Sequence, residues 1–345
     1  MTRREETMRV AFFQFFPPTI WTPGGGETQL RKTKEALEKL GVQVELFDIW
    51  NPKRDYDIIH IFGSTYQLSD FVVIAKRLGM KVVVSSIAYT NKPSWKWKIW
   101  RRIDHFMPVP TVYTYRKRIY EAADVLVSGS RAEANQFHSY FAVPLDKIKI
   151  IYNGADRKFA EVSPEFFVKK YNVRDFVLMV SRISNHKGQL RLIEALEGQG
   201  IDLVFIGQMD PDDPSYFKQF LKVCESRPWI HYLGYIYDQD LLASAYAASK
   251  VHALPSFGEC PGLVSLEAGL AGTNIVAVKY PPVYEHLGEG AFYCDPKSIL
   301  SIRKAVLEAY NAPRNERLKE RLLAGFTWDV IAQQILSIYK EVLKT

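Results

Sequence analysis

The sequence predicts an α/β protein of two domains, each a doubly wound parallel sheet. Three observations carry this. Short apolar segments rich in β-type residues alternate with helical stretches, those segments are apolar at successive positions rather than at every second one, and the pattern runs through twice. A strand that is apolar on both faces must be covered on both, which is the condition of a parallel sheet between layers of helix. A chain of 345 residues, 47% apolar and 24% charged, has room for two such cores. The composition excludes a disordered chain, a collagen and a small disulfide scaffold. No stretch approaches the ~18 consecutive apolar residues of a transmembrane helix. The polar opening MTRREETMRV has no apolar signal core, so no secretory leader is expected. Cys224, Cys260 and Cys294 lie far apart without a CxxC pair, which suits a reducing cytosol and argues against a zinc ribbon.

In the first half, strands are expected at Val10–Phe16, Gln43–Phe47, Asp57–Phe62, Lys81–Ser85, Asp124–Ser128 and Ile148–Ile151. Glu27–Leu40 carries Leu30, Thr33, Leu37 and Leu40 at steps of three and four, one apolar helical face, and Leu68–Leu78 is a second helix. In the second half, strands are expected at Phe176–Ser181, Asp202–Ile206, Ile230–Leu233, Val251–Leu254 and Ile275–Val278, with helical stretches between them. The charged run Arg157–Arg174, with Pro164, is the expected linker. Trp328, Ile331, Ile335, Ile338 and Val342 form an apolar stripe on a closing helix that must cover something. The predicted domains are residues 8–157 and 175–325, with a helix over 326–345 crossing back to the first. Two such halves place a ligand in a central cleft, facing the carboxyl ends of both sheets.

Net charge is +7, and residues 1–150 alone carry +8, from 23 basic against 15 acidic residues. The excess concentrates in Lys92–Arg118, where eight basic residues and one acid are interleaved with Trp95, Trp97, Trp100, Phe106, Tyr113 and Tyr115. Cations draw a chain to anionic lipid, and tryptophan and tyrosine settle at headgroup depth. Lys96, Lys98, Arg101 and Arg102 are the candidate membrane or acceptor contacts. A solvated face with its aromatics in the core is the plain alternative. Nucleic acid would use the same mixture, but the near-neutral second half argues against it.

Three stretches carry candidate chemistry. In LPSFGECPGLVSLEAGLAG, Leu254 to Gly272, a strand ends, a glycine-bearing turn follows, and a helix begins near Pro261 or Gly262. Glu259 sits on the turn and Glu267 about two turns along, so two carboxylates flank a helix N-terminus. The N-terminus suits a phosphate, and ionised carboxylates suit hydroxyl-rich groups. An acid stabilising its helix and a solvent-facing Glu would read the same way. In VSRISNHKGQLRLIEAL, Val180 to Leu196, Arg182 and Lys187 on one loop form an anion clamp or are two surface cations. In TPGGGETQ, Thr22 to Gln29, three glycines separate a strand from a helix and allow close backbone approach to a ligand.

Together these stretches resemble the retaining glycosyltransferases of family 4, of GT-B architecture, over nearly the whole chain. The resemblance rests on the E-x7-E pattern of Glu259 and Glu267, with Pro255 and Ser256 before it and EAxxAG after it. SRxxxxKG (Ser181 to Gly188), YNGAD (Tyr152 to Asp156) and the closing FTWDVIAQQILSIYKEV support it. It implies two Rossmann-like domains, with Arg182 and Lys187 on the donor diphosphate and Glu259, beside the Gly262–Leu263 backbone, on the transferred sugar. It places Glu267 on the ribose, Gly25 and Gly26 on the diphosphate from the opposite domain, and Tyr235 and Ile236 by the nucleobase. Arg182, Lys187 and Glu259 are the expected catalytic residues.

Two departures stand out. Ile87 or Ala88 occupies the place where the family often has a His; His105 is a candidate substitute, and His60 reads as structural. Pro261 removes one backbone donor from the helix start. Asp210-Pro211-Asp212 resembles a metal-binding DxD but precedes a helix near Pro214, where acids cap, so neither a metal nor another cofactor is expected; the nucleotide sugar is a substrate. The expected activity is transfer of a hexose, UDP-glucose being favoured by family habit, to a lipid-linked or oligosaccharide acceptor in polysaccharide biosynthesis. The site would be cytoplasmic, at the inner face of the cell membrane. An epimerase or hydrolase on the same fold, and a non-catalytic nucleotide-sugar binder, are the alternatives.

Overall fold

The structure, a computed structural model, describes residues 7–15, 24–107, 110–260 and 262–344. The expected residue Phe16, the opening Thr22 and Pro23 of the glycine stretch, and Pro261 lie outside the described residues. The chain divides into two compact units, one running through Asn153 and resuming at Trp328, the other spanning Gly154–Thr327.

The first unit holds β1 (Arg9–Gln14), α1 (Gly25–Lys39), β2 (Gln43–Leu46), β3 (Ile58–Phe62), α2 (Ser69–Arg77), β4 (Lys81–Ser85), α3 (Ser94–Phe106), α4 (Val112–Ala122), β5 (Val125–Ser128), α5 (Arg131–Phe141) and β6 (Ile148–Ile150). All its strand pairings are parallel, in the order β2-β1-β3-β4-β5-β6. β3 and β5 are buried at every position, as continuous apolar runs require. Helix α14 (Trp328–Val342) completes this unit: its stripe Trp328, Ile331, Ile335, Ile338 and Val342 is buried, and it packs on α1. On α1 itself Thr33, Ala36 and Leu37 face inward. Leu40, expected on that face, caps the helix and is exposed, because the helix ends one residue earlier.

The second unit holds α6 (Glu165–Tyr171), β7 (Val177–Val180), α7 (Gln189–Leu196), β8 (Leu203–Ile206), α8 (Pro214–Glu225), β9 (Ile230–Tyr232), α9 (Gln239–Ala248), β10 (Val251–Leu254), α10 (Leu263–Leu270), β11 (Asn274–Val278), α11 (Pro281–Leu287), β12 (Phe292–Cys294), α12 (Ile299–Asn311) and α13 (Glu316–Gly325). Its strands pair in parallel in the order β12-β11-β10-β7-β8-β9. The stretch expected as a linker, Arg157–Arg174, is instead folded into this unit. It bears a 3-10 turn and α6, which packs on α9, and it buries Phe159 and Phe167. Its charges had masked those two anchors.

In each sheet the chain reverses its direction of strand addition once, between β1 and β3 in the first unit and between β7 and β10 in the second. At such a switch point the loops leaving neighbouring strands part, which opens a crevice at their carboxyl ends.

Three histidines and one carboxyl group are fully enclosed among the described residues. His60 bonds Tyr339 Oη (2.6 Å) through Nδ1 and Ser85 Oγ (2.7 Å) through Nε2. His252, on β10, has no hydrogen-bond partner at either ring nitrogen among the described residues. Burial pushes His60 and His252 down from 6.5 to about 3, and His286 to about 4. Glu133, at the start of α5, is pushed up by burial from 4.5 to about 7. Below pH 6.5 the unfolded chain takes up protons that the folded histidines refuse, so stability is expected to fall as the pH drops toward 3. Glu133 acts in the opposite sense. The folded chain holds its proton up to about pH 7 while the unfolded chain loses it near 4.5, so its contribution to stability falls as the pH rises through that window. Urea midpoints measured across pH in the wild type, Glu133→Gln and His252→Leu separate the two. The first variant flattens the 4.5–7 limb. The second makes the acid limb shallower, since His60 and His286 remain, and, by removing two unpartnered polar atoms, adds about 1–3 kcal/mol at neutral pH.

Candidate functional site

The second unit's switch point is built by the loops after β7 and β10. Gly188, the N-cap of α7, has φ 85°, and a Cβ there would lie 2.8 Å from the Pro255 carbonyl oxygen, so the two loops pass in backbone contact. Further bonds pin them. Phe257 N donates to His186 O (2.9 Å), Ser256 Oγ donates to the same carbonyl (3.2 Å), and His186 Nε2 meets Gly258 O at 3.2 Å. Buried Gln189 ties the loop to β7 by donating to Ser181 Oγ (3.0 Å) and Arg182 O (2.8 Å).

This approach brings two of the expected residues together. Lys187 Nζ donates to Glu259 Oε1 at 2.5 Å, with 21% and 13% of the two side chains exposed. The other Glu259 oxygen lies 3.4 Å from where a Cβ on Gly262 would stand. Gly262, at φ 82°, caps α10, so the Glu259 carboxylate rests between an ammonium and the positive end of a helix. The helix starts at Leu263, later than the expected Pro261 or Gly262. Glu267 is its fifth residue and therefore little more than one turn along, not two. Glu267 Oε2 accepts a hydrogen bond from Tyr246 Oη (3.0 Å), a fully buried phenol on α9 that burial and this carboxylate hold well above its ordinary pKa. Arg182 is half-buried, and its guanidinium makes no ion pair among the described residues. After β9, Tyr235 is half-exposed and packs edge-on against Tyr237 at 4.6 Å, whereas Ile236 is buried and presents no free side chain. Tyr237 is the more exposed ring of this pair.

In the first unit, Gly25 and Gly26 are the opening residues of α1. Gly26 lies against Gln14 and Ile87. Glu27 Oε2 accepts the Gly24 N–H (2.8 Å) and its Oε1 takes Gln14 Nε2 (2.9 Å), so this helix end already has an anion beside it. Where a His was sought, Ile87 is exposed, and Ala88 N donates to Glu133 Oε1 at 2.6 Å. Glu133 also accepts from Gly129 N (2.9 Å) and Ser128 Oγ (3.1 Å), and Gln136 brackets Thr90 through its N–H and carbonyl (3.1 and 2.7 Å). Glu133 and Gln136 thus hold the segment after β4 onto α5. The Ser130-x-x-Glu133 spacing is a capping signal, but the reach to Ala88 is tertiary. His105 stands exposed near the end of α3, beside Phe106. Asp210 Oδ1 accepts the Asp212 N–H (3.3 Å), and Asp213 accepts that of Asn185 (2.9 Å). Among the described residues no cluster of three His, Cys, Asp or Glu side chains is placed to hold a metal ion.

Two family profiles match the chain, one described as "Glycosyl transferases group 1" over residues 165–322 and one as "Glycosyltransferase Family 4" over residues 48–159. An uncharacterized glycosyltransferase of Methanocaldococcus jannaschii is 28% identical over 240 residues, which cover 64% of this chain and 60% of that relative's length. Among solved structures, a sucrose-phosphate synthase from Thermosynechococcus elongatus superposes with a TM-score of 0.77 at 20% identity, covering 98% of this chain and 99% of its own. Anabaena HepE in complex with UDP-glucose superposes at 0.73 and 19% identity, covering 97% of this chain and 100% of its own. With these matches spanning both units, the chain belongs to the family-4-like glycosyltransferases and has their two-domain, Rossmann-like GT-B fold.

Proposed function

We propose that the protein transfers a hexose from a nucleotide diphosphate sugar, UDP-glucose first among them, with retention of configuration and without a metal. The observation that carries this is the Lys187–Glu259 pair at the cap of α10, on the carboxyl edge of the sheet. HepE binding UDP-glucose on the same fold supports the choice of donor. An incoming diphosphate competes with Glu259 for the Lys187 ammonium. The diphosphate gains a charge-assisted donor, and the released carboxylate accepts sugar hydroxyls. The glycosidic C1–O bond then breaks, and its electron pair passes to the diphosphate, where Lys187 and Arg182 stabilise the growing charge. The acceptor oxygen bonds C1 from the face the diphosphate leaves. The leaving phosphate oxygen takes the acceptor's proton, so this route needs no His at Ile87. Glu267, oriented by Tyr246, accepts the ribose hydroxyls. The acceptor is a lipid-linked or free oligosaccharide in polysaccharide assembly, met at the inner face of the cell membrane.

Lys187→Ala is expected to lower kcat/KM about 10²–10³-fold, the loss typical of one donor aimed at developing charge, and to lower the melting temperature because Glu259 is left poorly compensated, with circular dichroism at the assay temperature showing the variant folded. Turnover unchanged in a folded variant refutes the mechanism. A panel of nucleotide sugars in a thermal-shift assay should single out one donor. At a hundred times its Kd it stabilises the fold by about 2.7 kcal/mol, and Glu267→Gln should reduce that shift. Donor consumption without an acceptor would mark a hydrolase instead.

A further inference from the structure

Helix α3 presents its apolar side to solvent. Its inward side is narrow. Trp97 stacks on Tyr140 (5.7 Å between centroids, planes 3° apart), and buried Asp104 accepts Thr114 Oγ1 and Lys117 Nζ, each at 2.9 Å. Trp95, Ile99, Ile103 and Phe106 recur at steps of four, four and three, which at 3.6 residues per turn forms one stripe on the opposite side. These four side chains are 57%, 48%, 38% and 77% exposed. Trp100 and Met107, also exposed, widen the stripe at one edge, while Lys96, Lys98 and Arg102 are exposed along its flanks; Arg101 lies toward the inward side and donates to the Ser139 carbonyl (3.1 Å). The sole acid of the helix is Asp104, turned inward and paired. A contiguous apolar ridge of this kind marks an interaction surface. With 13 residues, α3 is too short to cross a bilayer, and no described helix is long and apolar enough to do so.

We infer that the outward face of α3 is a lipid-docking surface. The helix lies in the plane of an anionic membrane, with Trp95, Ile99, Ile103 and Phe106 at the headgroup–acyl boundary and Lys96, Lys98 and Arg102 on lipid phosphates. Charge complementarity selects this occupant. A nucleic acid would engage the cations but leave Ile99 and Ile103 in water, and a second copy would bring like charges together. The inference deepens the membrane part of the proposed function and does not depend on the transfer chemistry.

The test is co-sedimentation of the whole protein with vesicles of phosphatidylcholine, alone or mixed with phosphatidylglycerol. The wild type should bind the mixed vesicles. Trp95→Ser, Ile99→Ser and Phe106→Ser combined should weaken binding at least tenfold while the circular dichroism spectrum and the UDP-glucose thermal shift stay as in the wild type. Lys96, Lys98 and Arg102→Ala combined should abolish the preference for phosphatidylglycerol. The inference is overturned if the wild type ignores both vesicles, or if the apolar variant binds as the wild type does, which would leave the cations to a polyanion such as nucleic acid. It is also overturned if the apolar variant turns a dimer into a monomer, which would make a second copy the occupant. A missing donor shift with intact vesicle binding would count against the transfer reading alone.

Discussion

The candidate site depends on one backbone approach. Two loops that leave β7 and β10 must pass where the direction of strand addition reverses, and they pass so closely that Gly188 has no space for a Cβ against the Pro255 carbonyl. Every other feature follows from that closeness: the bonds of Phe257 and Ser256 to the His186 carbonyl, the 2.5 Å pair of Lys187 with Glu259, and the placement of that pair at the cap of α10. A charge pair so little exposed has lost much of its hydration, and removing one partner leaves the other poorly compensated. An anionic ligand that replaces one partner therefore enters a site already shaped for opposite charges.

Glu259 and Glu133 are held by different means. Glu259 is held by a cation and a helix end, whereas Glu133 has only backbone N–H groups and a serine hydroxyl, and burial outweighs them enough to raise its pKa to about 7. In the proposed mechanism the first arrangement is exchanged for a ligand's charges. The second fastens the segment after β4 to α5, which is a structural duty, and its protonation lies within the neutral range. The same segment carries Ile87, which packs on the glycine start of α1, so the clamp also shapes that end of the first sheet.

Aromatic residues in the basic stretch split by a geometric accident of the helix. Trp95 and Trp97 are two positions apart and so point to nearly opposite sides. One joins Tyr140 and Phe141 in the core while the other stands in solvent. Tyr113 is likewise buried, its hydroxyl donating to the Tyr140 carbonyl. The interleaving of aromatic and basic residues thus resolves into a core anchor and an outward ridge.

Periodicity is a local property, and what it controls was legible in the residues alone: the alternation of strands and helices, the double parallel architecture, the buried stripe of α14, the loops that bear Arg182, Lys187 and Glu259, and the helix that bears Glu267. Contacts between distant segments were not. The Lys187–Glu259 pair joins residues 72 apart and the Glu133–Ala88 bond residues 45 apart, and no spacing rule reaches across a sheet. The run Arg157–Arg174 read as a linker because its charges outnumber its anchors, until Phe159 and Phe167 found a core to fill. Burial is decided by what lies opposite a side chain, so which tryptophans face inward, which carboxylate meets a cation and which keeps its proton belong to the tertiary structure.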